Sequence, residues 1–307
     1  KYKGYGYRVN TMEKGVLVPV ITPFLNDGSI DEETLRQLIE FYLKAKVHGL
    51  FALGSSGQGP ALSESERRFV AEIIIDQVND RTPVITHVGC ADTPTTQALA
   101  KHAYEIGSSA IGIIPPYYYC DAPKSALLEH YRRVADVCPL PIFIYENPKY
   151  CGISITPEFG VILKHEVPTV RGIKVSYGDG AMEDYVKLFP SDVSVFTGNA
   201  DIFGLIPFGV SGMINPPTSS VPELTVALYE TLSSENYTKG AELQAKVTKI
   251  TQMFISTQKQ YGRGTIAETF RLRGLPVRRF PRWKTDPLPK KAIEDMKSVY
   301  RDVGILN

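Results

Sequence analysis

Two side chains that could make and use an imine stand at the ends of apolar segments. Lys174 closes the run "TVRGIK", and Tyr145 closes the run "LPIFIY". A lysine is almost never fully buried unless it is paired or used, and a lysine that loses hydration has a lowered pKa. The neutral fraction of such an amine can attack a carbonyl and form a Schiff base. A nearby phenol could carry the protons of that reaction.

Both residues also have ordinary structural interpretations. Lys174 could extend its amine to water from the end of a strand, with its apolar stem packed on the protein. Tyr145 could cover the end of a barrel with its amphipathic ring. Neither residue alone shows whether its role is structural or catalytic. The positions of both in the predicted strands are therefore needed.

Two loops add polar groups to these candidates. The loop "GSSGQGP", residues 54–60, surrounds Ser55 and Ser56 with glycines, and such a loop can direct backbone N–H groups at an anion. It is not a P-loop, because Pro60 stands where a lysine would be needed, and a plain tight turn is the alternative. The segment "PPYYYC" contains adjacent tyrosines, which more often serve packing or interfaces than catalysis.

The elements that position these residues are short apolar runs that alternate with amphipathic segments. Runs such as "AIGIIP" are typical of parallel strands covered on both faces, and "DEETLRQLIEFYLKAK" repeats apolar residues with the period of a helix. Ser63 and Glu66 have the spacing of a capping box at a helix start. The candidate strands are residues 15–22, 49–53, 83–88, 110–114, 140–145, 169–174, 192–196 and 210–214.

Eight strands, each followed by a helix, predict an α/β fold of the (β/α)₈ TIM barrel type, with a doubly wound sheet as the rival. We expect the catalytic barrel at residues 12–225 and additional C-terminal helices, packed on the barrel, at residues 226–307. We assign no role to residues 1–11. In such a barrel the active site lies at the carboxyl ends of the strands, where Lys174 and Tyr145 fall on neighbouring strands.

Composition excludes several classes of partner. The 307 residues are 43% hydrophobic, with a net charge of +1 and a pI near 7.8, which argues against binding to nucleic acid or an anionic membrane. Four cysteines stand far apart, and the five histidines have no spacing of metal ligands, so we expect no metal. We expect no membrane-spanning segment, because no apolar stretch approaches about 20 residues, and we expect no signal peptide and a cytoplasmic protein.

In their order along the chain, several motifs resemble one known family. "PVITPF", "GSSGQGPALS", "PPYYY", "YENP" and "GIKVS" are similar to motifs of the pyruvate-handling class I aldolases, which include dihydrodipicolinate synthase and N-acetylneuraminate lyase. The resemblance extends from about Val18 to about Arg279. Within that family "GSSGQGPALS" is most similar to 2-keto-3-deoxygluconate aldolases, which carry Gly-Pro where the synthases usually have Glu and a serine or threonine.

The resemblance implies a covalent mechanism without a cofactor. Lys174 is then the amine that condenses with the keto group of pyruvate or another 2-keto acid. The protonated imine acts as the electron sink, so that the neighbouring carbon–carbon bond can break or form. Tyr145 moves the proton during imine formation and at the hydroxyl that loses its proton on cleavage. No metal and no cofactor are needed.

The same resemblance assigns the remaining site residues. The N–H groups of Ser55 and Ser56 bind the substrate carboxylate, and Ile214 presents its backbone carbonyl to the site. The Ser56 hydroxyl links Tyr145 to Tyr118, which a second subunit contributes. The relay therefore implies at least a homodimer, and a homotetramer built as a dimer of dimers is common in the family.

Departures from the family pattern bear on the substrate. Tyr150 stands five positions after Tyr145, where the synthases have an arginine that binds the carboxylate of the incoming aldehyde. A tyrosine offers one neutral hydrogen bond in place of a charged fork, so we place Tyr150 in the substrate site and expect weaker recognition of a carboxylate. Glu146 replaces the usual asparagine, and Asn215 falls where serine is common.

Three functions follow as hypotheses. The first is a lyase that cleaves a 2-keto-3-deoxy sugar acid to pyruvate and an aldehyde, or forms it from them. The second is a dihydrodipicolinate synthase or a Schiff-base dehydratase of the same family. The third is a relative that binds a keto acid and regulates without catalysis. Lys174 and Tyr145 together argue against the third, because binding alone does not require an amine beside a phenol.

Overall fold

The structure is a computed structural model that describes residues 14–176 and 180–306. Its eight strands form a closed, all-parallel barrel in which each strand pairs with the next and the last with the first. This confirms the predicted TIM barrel, and each observed strand overlaps a predicted one. The strands are β1 (Gly15–Pro19), β2 (Gly49–Ala52), β3 (Val84–His87), β4 (Ala110–Ile113), β5 (Ile142–Glu146), β6 (Val170–Val175), β7 (Ser194–Thr197) and β8 (Gly212–Met213).

Helices surround the barrel and follow its strands. Several begin at side-chain caps; Ser63 and Glu66 form the predicted capping box at the start of the second helix. The helices are α1 (Glu32–Lys44), α2 (Glu64–Val78), α3 (Thr93–Glu105), α4 (Lys124–Ala135), α5 (Pro148–Cys151), α6 (Pro157–Glu166), α7 (Met182–Leu188), α8 (Leu205–Phe208), α9 (Pro222–Ser233), α10 (Tyr237–Tyr261), α11 (Gly264–Arg271) and α12 (Lys290–Asp302).

The C-terminal helices extend the barrel layer. Helix α9 packs on β1, and α10 packs on α9, α11 and α12. Tyr300 of α12 is fully buried, and its hydroxyl shares a 2.7 Å hydrogen bond with that of Ser220. The predicted division after residue 225 falls inside α9, so this helix belongs to both predicted segments, and the division itself stays a prediction. Among the described helices, none is both long and apolar enough to cross a membrane.

A segment after α11 forms a hydrogen bond with the loop that follows β2. The backbone N–H of Arg282 donates to Oε1 of Gln58 at 2.8 Å. Its guanidinium donates to both carboxylate oxygens of Glu66, at 2.7 and 2.6 Å. Because Gln58 belongs to the same loop as Ser55, the C-terminal region helps to hold a loop of the predicted site in place.

We expect Arg282→Gln to lower the free energy of unfolding by about 1 kcal/mol, because it removes a charged hydrogen-bonded pair that is only partly exposed. Chemical denaturation at pH 7 measures the change. The Arg282 guanidinium lowers the Glu66 pKa from 4.5 to about 2. The contribution is therefore fully present above pH 4.5 and is lost as the pH falls through about 2.

Arg301→Gln is the matched control, because the ion pair of Arg301 with Glu294 is more exposed, at 50% and 59% of the two side chains. We expect almost no change in stability for this variant. Equal losses in the two variants would show that the Arg282 side chain contributes no more to stability than an exposed ion pair does.

Candidate active site

Lys174 and Tyr145 lie side by side at the carboxyl end of the barrel. They are partners in the parallel register of β5 and β6, which are adjacent in the barrel. Both are buried, with 3% of each residue exposed, and the Lys174 Nζ lies 4.2 Å from the centroid of the Tyr145 ring. The two residues that the sequence singled out for imine chemistry are thus in contact.

Aromatic rings surround the Lys174 amine. Its Nζ lies 4.7 Å from the centroid of the Phe51 ring, which meets the Tyr145 ring edge to face at 5.6 Å. Gly112 on β4 leaves room for Phe51, since a Cβ there would lie 3.0 Å from the ring. Burial lowers the pKa of Lys174, and the opposing effect of the Tyr145 oxygen is smaller. The amine is therefore more easily neutral than an exposed lysine.

The Tyr145 phenol is held by two polar side chains. Asn147 donates its Nδ2 hydrogen to the phenol oxygen at 2.7 Å, and the Ser55 hydroxyl shares a hydrogen bond with the phenol at 3.3 Å. Burial raises the pKa of Tyr145, but the Lys174 charge and the hydrogen bonds with Ser55 and Asn147 together outweigh it. The pKa of the phenol therefore lies below its ordinary value, which suits a group that exchanges protons with a substrate.

The hydroxyl beside Tyr145 belongs to Ser55, whereas the resemblance assigned the relay to Ser56. The chain turns immediately after β2, where Leu53 adopts a left-handed backbone with a φ of 60°. The alternation of side chains between the two faces of a strand ends at that turn. The sequence alone therefore does not show whether the Ser55 or the Ser56 hydroxyl faces the barrel. The geometry moves the predicted link from Ser56 to Ser55.

The loop after β2 is tightly folded and leaves N–H groups free. A Cβ on Gly59 would lie 2.0 Å from the Leu53 carbonyl oxygen, and the Thr22 hydroxyl donates to the Gly57 carbonyl at 2.7 Å. Within the described residues, the N–H groups of Ser55 and Ser56 donate to no protein acceptor. Such paired donors can bind a carboxylate, and this predicted role of the two serines stays a prediction.

Tyr118 and Ile214 have different surroundings. Tyr118 lies in the loop after β4 with 82% of its surface exposed, and its ring contacts that of Tyr119 at 5.1 Å. Its φ of 83° is unusual for a bulky residue. Within one chain it does not line the cavity at the barrel mouth. Ile214 is fully buried directly after β8, and the role of its carbonyl stays a prediction.

Tyr150 lies at the barrel mouth together with an arginine that the sequence had not indicated. Its hydroxyl accepts a hydrogen bond at 2.9 Å from Nη2 of Arg263, the residue immediately before α11. Both residues line a cavity of about 200 Å³ whose other polar lining residues are Ser55, Gln58, His87 and Tyr117. Position 150 carries no cation, but Arg263 of the C-terminal region places one beside it.

Comparison with known proteins identifies the family. The sequence profile of the dihydrodipicolinate synthetase family matches residues 12–302. The chain belongs to this family. It is 29% identical over 291 residues to a 4-hydroxy-tetrahydrodipicolinate synthase of Methanopyrus kandleri, with 94% of each chain covered.

Solved structures of the dihydrodipicolinate synthetase family share the fold. One is YagE, a prophage protein of the family from Escherichia coli K12, in complex with pyruvate; the TM-score is 0.86 at 27% identity, covering 95% of this chain and 99% of that one. Another is a monomeric dihydrodipicolinate synthase variant, with a TM-score of 0.87 at 27% identity, covering 96% and 98%. Family membership makes this chain a class I aldolase-like lyase.

Glu146, which departs from the family pattern, holds a neighbouring loop. It follows Tyr145 on β5 and is fully buried. Its carboxylate accepts hydrogen bonds from the Ser154 hydroxyl at 2.8 Å and the Ile155 N–H at 2.7 Å. Because successive strand residues face opposite sides, Glu146 points away from the Lys174 amine and organises the start of α6. Asn215 similarly ties its amide to the Gly198 carbonyl at 2.6 Å.

Four site residues were not found from the sequence. Asn147 stands two positions after Tyr145, and this period-two spacing could have placed it on the same face. Phe51 could have been found in the same way from its place on β2. His87 is buried with its ring 5.9 Å from that of Tyr145. Arg263 carries no local signal. No group of three or more metal-ligating side chains lies together in residues 14–176 or 180–306.

We expect Tyr145→Phe to lower turnover about 100-fold or more, the usual effect of losing a positioned acid–base group. The ring packing with Phe51 is retained, so folding should change little. Tyr131→Phe is the matched control, because Tyr131 is fully buried and its hydroxyl donates to the Ile113 backbone carbonyl and to none of the side chains placed at the site. Steady-state kinetics of the two variants should differ sharply; similar rates would return Tyr145 to a packing role.

Proposed function

We propose that this protein is a pyruvate-dependent carbon–carbon lyase that works through a Schiff base on Lys174. The observation that supports it is the buried contact between Lys174 and Tyr145, in which the amine has a lowered pKa and the phenol has hydrogen-bond partners. The loop N–H groups of Ser55 and Ser56 are available for the pyruvate carboxylate. YagE, a solved relative, holds pyruvate, which supports the same keto acid here.

The reaction needs no group beyond these residues and water. The neutral Lys174 amine attacks the keto carbon, and loss of water gives an imine, with Tyr145 carrying protons to and from the departing oxygen. Having protonated the departing oxygen, Tyr145 is left as a phenolate. The protonated imine draws electrons from the neighbouring carbon, whose proton passes to this phenolate, and the imine becomes an enamine. The enamine carbon bonds to the aldehyde carbon, Tyr145 protonates the new alkoxide, and water then releases the product from Lys174. Cleavage is the reverse.

The aldehyde partner that we propose first is derived from a sugar, so that the product is a 2-keto-3-deoxy sugar acid. Ser55, Gln58, Tyr117 and Tyr150 give the cavity hydroxyl and amide groups that suit a polyol. The Gly59-Pro60 pair, which resembles the 2-keto-3-deoxygluconate aldolases, supports the same assignment.

A second candidate is 4-hydroxy-tetrahydrodipicolinate synthase, in which the aldehyde is aspartate semialdehyde. Two observations favour it. The similar protein of Methanopyrus kandleri bears this name. In addition, Arg263 places a cation beside Tyr150, where the sequence alone had left a neutral group. A Schiff-base dehydratase remains the third member of this set.

The proton relay leads us to infer a homo-oligomer. Tyr118 is exposed in one chain and has an unusual backbone conformation, which suits a residue that a second copy inserts beside Ser55 and Tyr145. We propose a dimer of dimers located in the cytoplasm. Because a monomeric variant of a dihydrodipicolinate synthase exists, the state of this chain calls for its own measurement by light scattering.

We expect pyruvate with borohydride to label Lys174 irreversibly, because reduction converts the imine into a stable secondary amine. Peptide mapping by mass spectrometry locates the added mass. Lys164→Arg is a control, since Lys164 already pairs with Asp192 at 2.8 Å on the outside of the barrel and should label like the parent. A label on another lysine, or no label, would contradict the Schiff-base mechanism and leave a binding protein.

We expect the sugar-derived aldehydes to be the better partners. With pyruvate fixed, kcat/KM is compared for glyceraldehyde, glyceraldehyde 3-phosphate and aspartate semialdehyde by following pyruvate consumption. The better of the two glyceraldehydes should exceed aspartate semialdehyde, since its hydroxyl group finds partners in Ser55, Gln58 and Tyr117. The opposite order would assign the protein to the synthases.

A further inference from the structure

Arg263 lacks the kind of partners that surround other arginines of the same region. Arg271 donates to two backbone carbonyls and to Glu268, and Arg273 donates to the Ser220 carbonyl and the Glu223 carboxylate. Arg263, in contrast, donates to the neutral hydroxyl of Tyr150. Within the described residues, it forms no ion pair with an acidic side chain. A partly exposed guanidinium therefore faces the cavity with most of its five N–H donors unused.

The rest of the cavity does not neutralise this charge. The polar lining residues Ser55, Gln58, Tyr117 and Tyr150 are uncharged, and none of the described residues that line the cavity is acidic. Burial, with smaller effects from Arg67 and Lys174, lowers the pKa of His87 far below its ordinary value, so His87 is neutral. Among the described lining residues, the positive charge of Arg263 therefore has no acidic partner, and an anionic ligand would supply one.

The cavity also connects Arg263 with the chemistry. Ser55 lies at one part of its wall and shares a hydrogen bond with Tyr145, which contacts Lys174. Arg263 and Tyr150 line the same cavity. Lys174 itself does not line the cavity, but a molecule that reacts beside it and extends past Ser55 into this space would place its unreactive end near Arg263.

We propose that Arg263 binds an anionic group at the far end of the aldehyde partner, and that Tyr150 is the positioning residue that orients its guanidinium. The anionic group is a phosphate or a carboxylate, because both accept the parallel donors of a guanidinium. The proposal rests on the proposed pyruvate-dependent lyase and specifies its substrate class. It applies equally to a phosphorylated sugar aldehyde and to an aldehyde that bears a carboxylate.

The test uses two pairs of aldehydes that differ mainly in charge. Glyceraldehyde and glyceraldehyde 3-phosphate form the phosphate pair, and butanal and succinate semialdehyde form the carboxylate pair. The parent protein should show kcat/KM at least about tenfold higher for the charged member of one pair, the effect of one charge-assisted hydrogen bond. The pair with the larger ratio identifies the anionic group.

Substitutions at Arg263 and Tyr150 then separate the effect of the guanidinium charge from the effect of its shape. Arg263→Gln should lose about tenfold or more in kcat/KM for the charged aldehyde and change the neutral one little. Arg263→Lys should recover part of the loss, because it keeps the charge without the fork. Tyr150→Phe should lose less than Arg263→Gln in the same direction. Lys259→Gln, an exposed cation at the end of α10, is the matched control and should behave like the parent.

Two measurements keep the outcomes distinct. Borohydride labelling of Lys174 by pyruvate should be equal in the parent and in Arg263→Gln, and failure in both would contradict the proposed lyase. Equal losses for charged and neutral aldehydes would overturn the role of Arg263 alone. If no aldehyde reacts, calorimetric titration measures the affinity of the parent and of Arg263→Gln for inorganic phosphate and for succinate. Weaker binding by the variant would support the proposal, and equal affinities would overturn it.

Discussion

The site depends on a lysine amine that is buried without a carboxylate. Lys174 lies between the rings of Tyr145 and Phe51, and among the described residues no acidic group pairs with its amine. An aromatic face attracts a cation far less than water or a carboxylate does, so desolvation dominates and lowers the pKa of Lys174. Adding an acid beside Lys174 would stabilise the ammonium and oppose the nucleophilic role that we propose for this residue. The fully buried carboxylate of Glu146, which follows Tyr145, points to the other side of its strand.

This requirement shapes the surrounding elements. Lys174 and Tyr145 can touch because they are register partners on adjacent parallel strands, and the barrel closes Phe51 against them from β2. The loop after β2 then adds donors without adding charge, through N–H groups and the Ser55 hydroxyl. In the proposed reaction pyruvate brings its own negative charge, and these uncharged donors bind its carboxylate without placing an acidic side chain beside Lys174.

The sequence predicts the parts of this arrangement that strands determine. Near-continuous apolar runs revealed all eight strands, and their order placed Lys174 beside Tyr145. The positions of residues beyond the end of a strand were harder to predict from the sequence. The turn at Leu53 gave the hydrogen bond to Ser55 where Ser56 was expected, because alternation no longer applies there. Arg263 reaches Tyr150 from 113 residues away, through the packing of α10 and α11, which no local pattern encodes.

The position of Arg263 has a consequence for how such a protein can diversify. The residues that we propose to handle the imine lie on β5 and β6 inside the barrel, whereas the guanidinium at the mouth comes from the helical region outside it. With the role that we propose for Arg263, substitutions before α11 would exchange one partner molecule for another while the barrel interior, and with it the Lys174 amine, stays intact.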